Sequence, residues 1–348
     1  MSSNALFLKS RIPQLICLTL TVCCVSPIHA KSDDLPDLST RVETMSVAEF
    51  QAIIDASKRW GEFGTGDQAG SVNLITAATR INAANEVRDG IAINLANPIS
   101  KTASGEFVVP LEHETFVFPP LGGEGSPEVA AGDVFTINYH GGLHSHMDGV
   151  AHFGWDGKLY NGFPFEPTEQ GFSDVGLEHI ATKGIFTRGV LVDLPGLYGV
   201  TSLEPGTVIT TDHLEAWEKA TGVTVSQGDV LLVRTGRWVR AANDDTFNPL
   251  QGTAGLHASV GPWLKARGVS AIGCDAISDV VPGGVEGVFN PVHVVANYAL
   301  GMPLFDHLQL DELARVAAKQ GRWTFLFTAS PLYIEGATGS PVSPFAHF

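Results

Sequence analysis

Short apolar runs broken by Gly and Pro recur along the chain: Ile91–Leu95, Val134–Tyr139, Val190–Leu194, Val230–Val233, Val269–Ile272 and Phe325–Phe327. Their length and β-branched content predict strands. Between them lie stretches with helical spacing. Ser46-Val47-Ala48-Glu49 is a capping box ahead of Phe50, Ile53 and Ile54, so a helix is predicted from Ser46. Asp212-His213-Leu214-Glu215 reads as a second box, leading into Ala216, Trp217 and Ala220. His257–Ala266 and Asp311–Lys319 read as helices closed by Gly268 and Gly321. Strands alternating with helices late in the chain predict an α/β protein with a more β-rich first half. No linker, charge block or repeat interrupts the pattern after about residue 60, so one domain is expected over 46–348, behind a polar, flexible leader over 31–45.

The N-terminus breaks this pattern. Lys9 and Arg11 precede an apolar stretch that ends near Val25, followed by Ala30, which describes a signal peptide over residues 1–30. The stretch falls short of the roughly 20 residues of a comfortable membrane span. A periplasmic or secreted protein, free of the membrane after cleavage, is therefore expected; a single N-terminal anchor is the alternative. Cleavage removes Cys17, Cys23 and Cys24 and leaves Cys274 alone, which excludes an intramolecular disulfide. Over the 348 residues, 37 acidic side chains face 21 basic ones, and the net charge of −16 argues against a nucleic-acid partner.

Histidine carries the candidate chemistry. Four of the 12 fall in Asn138–Phe153, which reads NYHGGLHSHMDGVAHF: His140, His144, His146 and His152, with Asp148 among them. If the strand at Val134–Tyr139 continues, His144, His146 and Asp148 share one face, and Gly149 permits a turn that returns His152 to the same point. Imidazoles and a carboxylate converging on one spot suit a divalent metal, zinc or manganese. The absence of a nearby cysteine points to an open catalytic site rather than a structural knuckle. The direction of His140 is left open by Gly141 and Gly142. Such a metal lowers the pKa of a bound water to about 7, and the resulting hydroxide attacks a carbonyl. Formamides, small cyclic amides, lactones and esters suit that chemistry. Outside the cluster, His113, His179, His213, His257 and His307 read as surface or capping residues, and Cys274 as a buried small hydrophobe. Trp155, Tyr160, Phe163 and Phe165 read as core, with a place in a substrate-pocket wall as the alternative.

The His146-x-Asp148-x-x-x-His152 core resembles the signature of the cyclase-family metal-dependent hydrolases, which include bacterial kynurenine formamidase, isatin hydrolase and some dienelactone hydrolases. Trp60-Gly61 with Asp67–Leu74, Asp156–Gly162, Phe325–Pro331 and Gly336–Val342 resemble further segments of the longer bacterial members, so the likeness runs from about residue 60 to 345. It implies a compact α/β domain around a barrel-like mixed sheet surrounded by helices, of the swivelling β/α/β type, and a homodimer acting on a small molecule. It also implies a distant histidine, matched by His293, and a position held by glutamate in binuclear members, where this chain has Asp306. Gly142 stands where the best-known members carry a histidine, so His144 or His140 would supply that nitrogen. The expected ligands are His144, His146, Asp148, His152, His293 and Asp306 for one or two ions, with His152 and His293 also candidates for the proton shuttle. Gly339-Ser340 is placed near the site by the same likeness. Two other functions remain open: a periplasmic metal- or ligand-binding protein without turnover, and a cyclase acting on a polyketide-like chain.

Overall fold

The computed structural model describes residues 28, 35–39, 43–103, 109–140 and 144–348. The expected signal peptide, apart from Ile28, lies outside the described residues, and so do Cys17, Cys23 and Cys24. Among the described residues thirteen strands follow in chain order: β1 (Ala92–Asn94), β2 (Glu112–Val117), β3 (Ala131–Thr136), β4 (His146–Asp148), β5 (Ile185–Asp193), β6 (Val208–Ile209), β7 (Val230–Arg234), β8 (Gly255–Leu256), β9 (Ala271–Cys274), β10 (Leu304–Asp306), β11 (Thr324–Ala329), β12 (Gly339–Pro341) and β13 (Phe345–His347). Nine of them form one mixed sheet in the order β1-β13-β11-β5-β7-β9-β10-β4-β12.

Its middle is parallel, β5-β7-β9-β10, and the flanks are antiparallel. The parallel strands are apolar on both faces, as strands covered by helices must be. The sheet curls into a half-barrel with helices around it, the barrel-like α/β fold that the family likeness implies. The six predicted strands are present, with shifted ends. β5 starts well before Val190, and β9 runs on through Cys274.

Two readings change. The helix at Val47–Ser57 has the expected capping box at Ser46 and Glu49. The helix at Thr211–Thr221 instead caps on Thr210, with the His213 ring as the reciprocal partner, two residues ahead of the predicted box. More consequential, Val134–Tyr139 does not continue into the histidine motif. β3 pairs only with β2, in a separate ribbon exposed along nearly its whole length, and the motif strand β4 belongs to the main sheet. Alternation therefore starts anew at His146 rather than carrying over from β3. Within the stretch read as a flexible leader, Leu35 and Leu38 pack on the core, and the Tyr198 hydroxyl donates to the Pro36 carbonyl.

The segments resembling the longer family members brace one another. Asn161 Nδ2 donates to the carbonyls of Gly64, Thr65 and Asp67, and its Oδ1 accepts from Gly61 N. Tyr160 donates from its hydroxyl to Asp67. Of the aromatic cluster, Tyr160 is buried, Trp155 and Phe163 pack against the core, and Phe165 is exposed. Trp155 donates to Gln51 and stands edge-on to Phe50, while Phe165 packs on Phe172.

Candidate metal centre

β4 is buried between β10 and β12, and its alternation sends His146 and Asp148 to the same side. The antiparallel register sets Asp306 of β10 opposite His146, and Gly339 of β12 opposite Asp148. Glycine is required at 339 because a Cβ would lie 2.4 Å from the Met147 carbonyl and 3.1 Å from the His140 ring. Gly149 serves in the same way. Its backbone is not left-handed, but a Cβ there would meet the Thr338 carbonyl at 2.9 Å. Close approach, rather than a glycine-only turn, explains it, and the His152 amide then bonds back to the Gly149 carbonyl.

Asp148 is the centre of the group. His140 Nδ1 lies 2.9 Å, His146 Nε2 3.2 Å and His152 Nε2 3.8 Å from its Oδ1, while His293 Nε2 is 3.2 Å from Oδ2. Yet Oδ1, though buried, is not engaged in a properly directed hydrogen bond, and neither is His140 Nδ1. Two triads of potential ligand atoms share this carboxylate: His140, Asp148 and His152, and His146, Asp148 and Asp306. The imidazoles are aimed from behind. His146 Nδ1 donates to the His144 carbonyl at 2.7 Å, which leaves Nε2 toward Asp148. His293 Nδ1 is held by Asp279 at 2.5 Å, which leaves its Nε2 3.2 Å from Asp306 Oδ2 as well. Ser278 donates from both its amide and its hydroxyl to the other Asp306 oxygen.

Six of the residues singled out from the sequence thus converge: His140, His146, Asp148, His152, His293 and Asp306. His144 does not join them. Its side chain turns to the Val109 carbonyl at 3.2 Å, and only its backbone serves the site. The reason is the break in strand continuity before β4, which leaves His144 outside the alternation. His140, at the end of the ribbon, takes its place, stacked on the His152 ring at 3.9 Å and hydrogen-bonded to Thr338.

The electrostatics follow from burial and opposed charge. Burial alone would raise Asp148, but His146 and His152 hold it well below the usual carboxylate range. Asp306 is lowered against the same burial penalty, chiefly by His293. Burial opposes charge on His293 too, and Asp306 with Asp148 and Asp279 outweighs it, raising that imidazole well above its ordinary value. For His152 burial prevails and lowers it to about 4.

A cavity of about 380 Å³ opens onto the cluster. Val109, Leu250, Ile277 and Phe289 give it an apolar side, and Asn138, Asn290 and His307 add polar groups. Trp155, Tyr160, Phe163 and Phe165 are not among its lining. His307, expected at the surface or on a cap, is buried in the wall, its ring 6.0 Å from that of His146. Strand alternation would send residue 307 away from Asp306; a left-handed backbone at φ 56 ends the strand instead. Burial and then the Arg237 charge push that imidazole well below its ordinary value. Asp279, Ser278 and Asn290 went unrecognised in the sequence, because their placement depends on register between distant segments. Cys274 is buried as expected, and burial raises its thiol well above the usual range, which makes it inert.

Comparison with known proteins adds the relatives. The Cyclase family model matches residues 43–279. A solved structure described as a novel cyclase superposes with a TM-score of 0.75 at 28% identity, over 84% of this chain and 100% of that one. Isatin hydrolase A from Ralstonia solanacearum gives 0.51 at 18% identity, over 78% and 97%. An isatin hydrolase bound to the product analogue thioisatinate gives 0.50 at 17%, over 78% and 98%. Curated proteins give no match.

Proposed function

The chain belongs to the Cyclase family, and from that premise we propose that it is a metal-dependent hydrolase of a small amide, cyclic amide, lactone or ester. The observation that carries this reading is Asp148, a buried carboxylate with an unsatisfied oxygen ringed by imidazoles. Nitrogen and hard oxygen donors around such an oxygen fit a divalent cation, zinc or manganese. His146, Asp148 and Asp306 would hold one ion; His140 and His152 with Asp148 would hold another or complete the same shell. When bound, such an ion supplies Lewis acidity toward a carbonyl oxygen and acidifies a water molecule.

The protein groups supply binding and proton transfer. Asp279 fixes the His293 ring so that Nε2 faces the two carboxylates, and the ring's raised pKa keeps this imidazole protonated, which suits it to hand a proton to the leaving group. His152 is partly exposed at the cavity and neutral at pH 7; with an ion held without it, by His146, Asp148 and Asp306, it is free to accept the proton of the attacking water. Phe153 packs against both rings, at 4.6 Å from His152 and 4.9 Å from His293, and limits their rotation. The apolar side of the cavity takes the body of a small substrate and keeps water from it. Isatin, named in the descriptions of two structural neighbours, is a cyclic amide and so belongs to the proposed substrate class.

Two further parts of the proposal rest on the chain outside the site. Lys9, Arg11 and the apolar stretch after them support export to the periplasm or medium. Among the described residues no helix is long and apolar enough to cross a membrane. The exposed apolar side chains of the β2–β3 ribbon support a homodimer.

The test is turnover of N-formyl compounds, isatin-like cyclic amides and lactones by the purified protein. Activity should vanish with a chelator and return with zinc or manganese. Tight ligand binding with no product over hours contradicts the reading.

A further inference from the structure

Two of the candidate ligand imidazoles are held by their Nδ1 atoms, His146 on the His144 carbonyl and His293 on Asp279, so each presents Nε2 to the carboxylates. His140 is held the other way round. Its Nε2 lies 3.2 Å from the Thr338 hydroxyl, and its Nδ1 lies 2.9 Å from Asp148 Oδ1. The second contact is close but misdirected, so a proton on Nδ1 would have no acceptor along its axis. With the proton on Nε2 instead, Thr338 Oγ1 accepts it and Nδ1 keeps a lone pair. That lone pair and Asp148 Oδ1 repel each other unless a cation takes both. His146 Nε2 approaches the same oxygen at 3.2 Å.

Thr338 is fixed on both sides. Its carbonyl accepts from the Gly149 amide at 2.7 Å, just beyond β4. The next residue, Gly339, pairs with Asp148, and its carbonyl accepts from the Tyr139 hydroxyl at 2.8 Å. The Tyr139 ring lies 4.4 Å from that of His140, while the His152 ring stacks on His140 with 9° between their planes. These rings set the plane of His140, and the Thr338 hydroxyl decides which nitrogen carries the proton. Ser340, in the same segment, commits its hydroxyl to the Leu332 amide and the Pro341 carbonyl instead.

We propose that Thr338 is a positioning residue of the metal centre: its hydroxyl accepts the Nε2 proton of His140 and so presents Nδ1 as a ligand for the cation at Asp148. His140 then binds through the opposite nitrogen from His146. The inference rests on the metal-dependent reading and deepens it.

The test is the zinc affinity of the purified protein, measured by competition with a chromophoric chelator at neutral pH. Thr338→Val keeps the shape of the side chain without the hydroxyl and should weaken zinc binding by about 10- to 100-fold, the usual cost of losing the group behind a ligand imidazole. Thr338→Ser restores the acceptor and should bind zinc as the wild type does. In a His140→Ala background, Thr338→Val should cause no further loss, because the two residues act as one unit. Nitrogen NMR of the zinc-loaded wild type, labelled at histidine, needs no substitution and should show zinc on His140 Nδ1. Unchanged affinity in folded Thr338→Val, a serine variant as weak as the valine one, an equal loss in the His140→Ala background, or His140 without zinc on Nδ1 overturns the proposal. A wild type that binds no zinc overturns the metal reading itself and this inference with it.

Discussion

At the scale of single residues, Asp279 is the group on which the centre's geometry depends. One fully buried carboxylate accepts from two backbone amides at the start of a helical segment and from the His293 ring. Truncation leaves a buried imidazole beside two other carboxylates and orphans both amides. Asp279→Ala should therefore cost on the order of 3–5 kcal/mol in urea unfolding, the range for breaking a buried charged pair. A cost under about 1 kcal/mol, that of an ordinary surface change, would show that the pair is not a structural anchor. Asp279 was invisible in the sequence because nothing local marks a carboxylate that caps a helix thirteen residues on. His146, Asp148 and His152 were legible, since a two-residue spacing on a strand and a short return fix their direction. His293 and Asp306 were legible only through likeness to a family. His307 was misread because a left-handed residue defeats alternation.

At the scale of elements, composition foretold which segments are strands and helices better than it foretold where they join. β3 and the motif strand look continuous in sequence, yet they belong to different sheets, and His140 rather than His144 reaches the centre as a result. The helix at Thr211–Thr221 shows the same effect on a smaller scale. His213 Nδ1 accepts from the Thr210 amide, a bond available only to the neutral ring. Burial lowers this imidazole below its ordinary value, against the opposing charges of Asp212 and Asp37. The unfolded chain therefore binds the proton more readily, and the helix start contributes stability above about pH 6.5 that is lost as pH falls toward the folded value. His213→Gln keeps a capping-box acceptor without the titration. The urea midpoint of the wild type should drop more steeply between pH 7 and 5 than that of the variant. Parallel declines would show that His213 does not titrate with folding.

At the scale of the whole molecule, the curled sheet brings together His140 and the segments at residues 146–152, 278–293, 304–307 and 338–340, which lie far apart in the chain. The β2–β3 ribbon stands off that body with Val117, Val134 and Phe135 exposed, and its following turn supplies His140. A dimer formed through the ribbon should show twice the chain mass in light scattering, and Val117→Lys with Phe135→Lys should reduce it to one. A wild-type protein already monomeric at micromolar concentration would remove that part of the proposal. The central claim, however, is the metal held at Asp148, and elemental analysis of the purified protein tests it most directly. The wild type should carry about one or two equivalents of a divalent transition metal, and folded Asp148→Ala less than about 0.3. Full metal content in that variant, or less than about 0.3 equivalents in the wild type after incubation with zinc or manganese, would contradict it.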